Sequence, residues 1–134
     1  MRLGSVSSIV VAAIAVSTIV LAAQNSGRRK DAAAVRNPVR ADASSVAAGS
    51  KLYQSNCSPC HGEAARGDGK MASQFDPKPS DLTDAEWKHG SSDGEVFAVI
   101  RDGVKDTGMK GFGSKMTARQ IWDVINYLRS IGPR

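Results

Sequence analysis

Residues 57–61 read Cys57-Ser58-Pro59-Cys60-His61, and this stretch decides what the rest of the chain folds around. Two cysteines three positions apart in a helical turn can each add to one vinyl group of a haem, and the residue after the second cysteine then faces the iron. The motif therefore predicts one covalently attached haem c, held through Cys57 and Cys60, with His61 as the proximal axial ligand.

Three other interpretations of the cysteine pair have less support from the sequence. A thioredoxin-like redox dithiol is typical of alternating strands and helices, and a structural zinc site requires two more ligands nearby. A structural disulfide is the third alternative, and none of the three explains a histidine directly after the second cysteine. The chain has only these two cysteines, which excludes a multi-disulfide scaffold and a four-cysteine zinc site.

The segments on either side of the motif are predicted to be helical, because none shows the strict apolar alternation of a half-buried strand. The first predicted helix covers residues 46–56 and delivers Cys57 at its end. The last helix begins after Thr117, which forms a capping box with Gln120, and it stops before Gly132. Its apolar residues recur at helical spacing: Ile121, Val124, Ile125, Leu128 and Ile131.

Two further capping boxes lie between these helices, each with Ser or Thr three residues before Glu. They are Thr83 with Glu86, predicting a helix over residues 84–88, and Ser92 with Glu95, predicting a helix over residues 93–102 that ends at Gly103. Glycine and proline interrupt the remaining segments, which are predicted to be loops. The predicted fold class is all-α, with about four short helices and loops around one haem.

The net charge of +5 is concentrated in the N-terminal part of the chain. Residues 1–43 contain six basic and two acidic side chains, a balance of +4, whereas residues 44–134 contain twelve basic and eleven acidic ones, a balance of +1. The folded part therefore has no basic stripe of the kind that follows a phosphate backbone, and no nucleic-acid partner is expected.

Residues 1–23 are predicted to be a signal peptide or an N-terminal membrane anchor. Within them, residues 6–23 form an uncharged run of 18 residues, long enough for either role because a helix of that length reaches about 27 Å. The basic residues at 28–30 follow this run, whereas the positive-inside rule would place them on the cytoplasmic side. We still expect the domain to be exported, because the haem site requires assembly outside the cytoplasm. Residues 24–45 lack an apolar period and are predicted to be a flexible basic linker before a domain at residues 46–132.

Several separate motifs occur along the chain, each of them once: Gly49-x-x-x-Tyr53-x-x-x-Cys57-x-x-Cys60-His61-Gly62, Gly67-Asp68-Gly69, Pro77-x-Pro79-x-Asp81-Leu82-Thr83, Ile100-Arg101-x-Gly103 and Trp122-Asp123-Val124-x-x-Tyr127-Leu128-Arg129. Together they resemble the class I monohaem cytochrome c domain over residues 49–131. The resemblance implies that the first helix crosses the last one, with Gly49 and Tyr53 against Tyr127. Ridge-into-groove packing explains the small residue at such a crossing.

The resemblance also implies a sixth ligand to the iron. The residues downstream of the motif that could supply it are Met71, Met109, Met116 and His89. Met109 lies in a glycine-flanked loop at residues 107–113 that resembles the distal-methionine loop of the family, and it is assigned as the ligand opposite His61. Met116 is predicted to fill the core, and Met71 and His89 are predicted to be packed or surface side chains.

Two lysines stand where the family often has proline. Lys110 follows the assigned methionine, and Lys70 follows the Gly-Asp-Gly turn. Neither change removes a ligand. In the family a backbone carbonyl near this turn commonly accepts the ring N–H of the histidine ligand and fixes the imidazole, but the sequence does not identify that carbonyl here.

With both axial positions filled, the predicted function is one-electron transfer in a respiratory or periplasmic chain and not an enzymatic reaction. The expected partners are a redox donor and a redox acceptor in transient contact with a monomer. Lysines that could steer them are Lys51, Lys70, Lys78, Lys110 and Lys115. Two alternatives stay open: an open-site peroxidase or gas sensor, and a fixed haem subunit of a membrane dehydrogenase or oxidase. The expected location is the periplasm, soluble or tethered to the inner membrane through residues 6–23.

Overall fold

The computed structural model describes residues 31–132, and the regular elements in this range are helical. From Ala43 onward they are α1 over Ala43–Asn56, α2 over Ser58–His61, a 3-10 turn over Ala72–Gln74, α3 over Asp93–Asp102 and α4 over Ala118–Ile131. The β pairing within residues 31–132 is an isolated bridge between Gly103 and Lys110. The predicted all-α fold is confirmed.

Helices α1 and α4 cross at Gly49, where the two backbones come into direct contact. A Cβ atom placed on Gly49 would fall on the carbonyl oxygen of Asp123, 2.5 Å from the carbonyl carbon and 3.0 Å from Cβ of Tyr127. One turn further along α1, the rings of Tyr53 and Tyr127 pack with their centroids 5.3 Å apart. The predicted crossing is therefore confirmed, and the missing side chain at Gly49 is what permits it.

The core lies between α1, α3 and α4. Helix α4 supplies half of its ten buried residues: Ile121, Trp122, Val124, Ile125 and Leu128. Val96 and Ile100 of α3 and Tyr53 of α1 close the core from the other sides. Met116, just before α4, is also buried, which confirms its predicted role as a core residue.

Side-chain caps determine where the helices begin. The capping boxes of Ser92 and Thr117 are both present, and α3 and α4 start directly after them as predicted. Helix α1 starts three residues earlier than predicted, because Asp42 accepts the backbone N–H of Ser45 at 2.9 Å.

The predicted helix over residues 84–88 is wrong. Thr83 does not cap it, because both its backbone N–H and its hydroxyl donate to the carboxylate of Asp81, at 2.7 and 2.6 Å. This local turn competes with helix initiation. Residues 82–86 form bends, and the backbone N–H of Trp87 donates to the Ser91 hydroxyl at 2.8 Å.

The segment that precedes α1 is packed on α4 through two asparagines. The side chain of Asn37 donates to the side-chain oxygen of Asn126 at 2.8 Å and to the Trp122 carbonyl at 3.2 Å. Asn126 donates in turn to the carbonyls of Val39 and Arg40 and to the hydroxyl of Ser45. Residues 37–45, which the sequence assigned to a flexible linker, therefore belong to the packed unit.

Replacing Asn126 with alanine is expected to lower the free energy of unfolding by about 3 kcal/mol. The side chain is buried, and its removal leaves several polar partners without a hydrogen bond, at roughly 1–3 kcal/mol per unsatisfied group. Denaturant unfolding measures the loss. The control is Gln54→Ala, which removes one long, exposed bond to the Glu63 carbonyl and should change stability by less than about 0.5 kcal/mol. Equal effects of the two variants would contradict docking of this segment.

The predicted signal peptide or anchor at residues 1–23 lies outside the described residues, as do residues 24–30 of the predicted linker. Within residues 31–132, no helix has the length and apolar character needed to cross a membrane. The export segment at residues 1–23 and the linker over residues 24–30 stay predictions.

Candidate haem-binding site

The attachment motif forms a short helical turn directly after α1. The backbone N–H of Cys57 donates to the Tyr53 carbonyl at 2.8 Å, so α1 runs into the motif without a break. Pro59 lies in the first turn of α2, and the backbone N–H of His61 donates to the Cys57 carbonyl at 2.8 Å. One helical turn thus brings Cys57, Cys60 and His61 to the edge of a single cavity.

The cavity has a volume of about 420 Å³, within the roughly 300–1,000 Å³ that is usual for ligand and cofactor sites. Its apolar lining comes from the loops and from α3 and α4, and includes Leu82, Trp87, Val96, Val99, Ile100, Phe112 and Leu128. An apolar slot with two thiols and an imidazole at one edge suits a flat porphyrin that is attached at that edge. The residues present therefore fit a covalently bound haem.

The chemistry of the Cys57 thiol argues against a redox dithiol. Burial, chiefly, together with the neighbouring Cys60 thiol raises the pKa of Cys57 to about 12. A dithiol that exchanges disulfides needs the opposite, since only the thiolate attacks and reactive cysteines have a lowered pKa. The thioredoxin-like interpretation is therefore disfavoured by the site itself.

The imidazole of His61 is oriented by a backbone carbonyl. Its Nδ1 lies 3.0 Å from the carbonyl oxygen of Ser80, which can only accept, so Nδ1 carries the proton and Nε2 has a free lone pair. Burial lowers the pKa of His61, while the bond to Ser80 acts in the opposite direction. The ring is thus held neutral in the tautomer that a metal ligand requires.

Met109 lies in a loop that hydrogen bonds hold on both sides. The backbone N–H of Val104 donates to the Met109 carbonyl at 2.9 Å, and that of Met109 donates to the Thr107 hydroxyl at 3.1 Å. The Thr107 hydroxyl donates in turn to the Val104 carbonyl at 2.9 Å. Gly108 lies under the ring of Phe75, where a Cβ atom would be 2.5 Å from ring carbon Cε1.

The structure brings Met109 to the same cavity as Cys57, Cys60 and His61. Two of the alternative ligands, Met71 and His89, line this cavity as well, although the sequence predicted packed or surface positions for them. Both side chains are exposed, whereas Met109 is half-buried. Met116 is buried in the core beside α4 and is not among the lining residues.

Residues 46–132 match the protein-family model described as Cytochrome c. The chain belongs to the cytochrome c family. With Cys57 and Cys60 as its attachment pair, this cytochrome carries one covalent haem c. Members of the family are typically electron carriers rather than enzymes.

Two curated relatives are both described as Cbb3-type cytochrome c oxidase subunit FixP. The protein from Bradyrhizobium sp. (strain ORS 278) is 28% identical over 87 residues, and that from Azorhizobium caulinodans is 25% identical over 84 residues. The alignments cover 65% and 63% of this cytochrome, but only 28% and 26% of the relatives. The chain thus spans about a quarter of the length of these relatives.

Solved structures with a similar fold include two c-type cytochromes. A chain of the Kuenenia stuttgartiensis reducing HAO-like protein complex has a TM-score of 0.66 at 29% identity, covering 75% of this chain and 49% of that one. The KustC0563 c-type cytochrome has a TM-score of 0.52 at 26% identity, covering 63% of this chain and 98% of that one. Cytochrome CL from Methylophaga aminisulfidivorans, at 24% identity and a TM-score of 0.57, covers 68% and 55% and supports the fold alone.

The charged side chains at the cavity of this cytochrome are lysines. Among the described lining residues, these are Lys78, Lys88, Lys110 and Lys115, with no carboxylate. Three of them, Lys78, Lys110 and Lys115, are among the lysines predicted from the sequence, whereas Lys88 was not predicted. Lys51 and Lys70 are not among the lining residues.

A hydrogen bond from Tyr53 connects α1 to the end of the attachment turn. The hydroxyl of Tyr53 is buried and donates to the carbonyl of Gly62 at 2.8 Å, directly after His61. Burial, chiefly, raises the pKa of Tyr53 well above its ordinary range. The folded state therefore keeps a proton that the unfolded chain loses, and this stability is lost as pH rises above about 10.

We expect Tyr53→Phe to be about 1 kcal/mol less stable than the wild type at pH 7, because one hydrogen bond is lost. Above pH 10 the difference should shrink, since only the wild type has this buried phenol to ionise. Denaturant unfolding from pH 7 to pH 11 measures both effects. A difference that stays constant over this range would contradict the protonated, hydrogen-bonded Tyr53.

Proposed function

We propose that this cytochrome is a one-electron carrier in which His61 and Met109 ligate the haem iron. The observation that carries the proposal is the position of these two side chains, which line one apolar cavity and come from opposite ends of the domain sequence. The bound haem supplies an iron that cycles between Fe(III) and Fe(II). With both axial positions filled, no site would remain for a small molecule to react.

The protein contributes positioning and a low-polarity environment. Ser80 fixes the His61 ring, and the hydrogen bonds of Thr107 hold the backbone at Met109. Apolar side chains of α3 and α4 line the cavity. A thioether ligand raises the reduction potential of a haem, which suits an oxidising segment of an electron-transfer chain.

The lysines at the cavity favour redox partners that present carboxylates. The domain from residue 44 onward has a balance of only +1, yet four lysines collect at this opening. Steering by these charges should raise the association rate at low ionic strength and fade as salt increases. We therefore propose transient donor and acceptor proteins with acidic docking surfaces.

A second function, a fixed haem subunit of a larger oxidase, is favoured by the names of the curated relatives, which are subunits of cbb3-type oxidases. In both cases we propose export to the periplasm, with residues 6–23 cleaved or retained as an anchor. The mature mass and the partition between membrane and soluble fractions separate the two. A soluble protein that lacks residues 1–23 favours the diffusing carrier, and an intact, membrane-bound chain favours the fixed subunit.

The decisive test is the absorption spectrum of the exported holoprotein in both oxidation states, with carbon monoxide added to the reduced form. We expect the weak red band of methionine-to-iron ligation and no change with carbon monoxide. Ready binding of carbon monoxide by the wild type would overturn the proposal in favour of a reactive or sensing haem.

A further inference from the structure

The loop after the attachment turn donates three backbone N–H groups to the last three carbonyls of that turn. The pairs are Gly67 to His61 at 2.8 Å, Gly69 to Cys60 at 3.1 Å and Met71 to Pro59 at 2.8 Å. Carbonyls at the end of a helix have no partner within the helix and are usually satisfied by water or by caps. Here one loop satisfies all three, directly beside the proximal histidine.

The three donors are every second residue of the loop, from Gly67, where φ is +75°, to Met71. Positions 68 and 70 lie between them. The N–H of Lys70 is not one of the three that bind the attachment turn, so a proline at this position would leave all three bonds in place.

The loop also lies too close to the turn for a side chain at Gly69. A Cβ atom there would fall on the Pro59 carbonyl oxygen and lie 2.6 Å from the Ser58 oxygen. A further bond closes the longer stretch that contains the loop, because the backbone N–H of Leu82 donates to the Ala65 carbonyl at 2.7 Å. The three bonds to the turn and the close contact at Gly69 hold the loop against the turn.

We propose that residues 67–71 are a positioning element for His61 that helps to keep the reduction potential of the haem high. The inference rests on the proposed function only in taking His61 as an axial ligand. A carbonyl without a donor leaves a partial negative charge near the iron, which stabilises Fe(III) and lowers the potential. The three N–H groups offset these charges and fix the backbone from which the imidazole projects.

The first test is the midpoint potential of holoprotein Gly69→Ala. The added methyl group moves the loop off the turn, and we expect the electron-transfer equilibrium with a fixed reference to shift about tenfold toward Fe(III), or about 59 mV for one electron. The control is Gly132→Ala, where φ is −74° and the nearest atom is 3.2 Å from the new Cβ. Its potential should equal that of the wild type.

A second set of three variants separates the effect of the N–H group from that of the side chain. Met71→Pro removes the donor to Pro59, whereas Met71→Ala keeps it and truncates the side chain; Lys70→Pro removes an N–H that does not bind the turn. Only Met71→Pro should lower the potential and change the spread of the haem-methyl NMR shifts, which follows the plane of the axial imidazole. Unchanged potentials in both Gly69→Ala and Met71→Pro would overturn the inference.

A third test is amide hydrogen exchange in the wild-type holoprotein, which requires no substitution. The N–H groups of Gly67, Gly69 and Met71 should exchange as slowly as those in the middle of α4, and exchange at the rate of an open loop would also overturn the inference. The carbon monoxide test reports only on ligation of the iron by Met109. A wild type that binds carbon monoxide would therefore remove the proposed function while leaving these comparisons on the His61 side valid.

Discussion

Met109→Ala is expected to abolish the weak red band of the oxidised protein and to open the reduced iron to carbon monoxide. The potential should fall by an amount on the order of 0.1 V, a fraction of the roughly 0.8 V that axial ligands span. The physical reason is the loss of the thioether, which favours Fe(II) more than water or a nitrogen ligand does. Absorption spectra and a redox titration of the holoprotein measure all three changes.

The other possible ligands provide the controls for this prediction. Met71→Ala and His89→Ala alter side chains that line the same cavity, and Met116→Ala alters one that is buried in the core. The red band should persist in all three, although Met116→Ala should lower the free energy of unfolding by about 2–5 kcal/mol. Loss of the band in Met71→Ala, with Met109→Ala unaffected, would assign the sixth position to Met71 instead. A wild type that lacks the band and binds carbon monoxide only after His89→Ala would assign that position to His89.

The parts of the fold that the sequence predicted correctly depend on short-range patterns. Helix α3 runs from Asp93 to Asp102 as expected, since its capping box and its closing glycine lie within the element itself. The same rule failed at Thr83, because Asp81, two residues before it, offers a competing acceptor. A capping box is therefore reliable only where no nearby carboxylate can bind the capping residue.

The sequence indicated the site residues that act through their side chains, but not those that act through their backbone. Cys57, Cys60, His61 and Met109 meet at one cavity, but the acceptor for the His61 ring was not predictable. It is a backbone carbonyl, and every residue has one, so its identity depends on the path of the loop and not on residue type. The backbone N–H donors of residues 67–71 were missed for the same reason.

The segment before α1 shows a second limit on what the sequence can predict. Its composition is that of a linker, and the family match begins only at residue 46. The bonds that hold it join Asn37 to Asn126, 89 positions apart, and no local pattern reports such a pair. Polar composition predicts exposure only when the polar groups lack buried partners elsewhere in the chain.

Gly49→Ala should destabilise the holoprotein by about 3 kcal/mol, the upper end of the usual range for overpacking. Helix propensity alone predicts the opposite sign, because alanine within a helix is favoured over glycine by roughly 1 kcal/mol. The new methyl group would meet the carbonyl of Asp123, which is backbone and cannot rotate away as a side chain could. The two helices would have to separate, and the packed rings of Tyr53 and Tyr127 would separate with them.

Ser50→Ala, at the next position of α1, provides the matched control for this crossing. It makes a smaller gain in helix propensity outside the contact with Asp123, so it should be neutral or stabilising by a few tenths of a kcal/mol. Thermal and denaturant unfolding of both variants measure the difference. If Gly49→Ala proved as stable as Ser50→Ala, helix propensity would outweigh the contact, and α1 and α4 would have room to shift apart at little cost. A large loss in Gly49→Ala alone would mean that the closeness of the two backbones sets the position of α1, and with it the position of the attachment turn that α1 delivers.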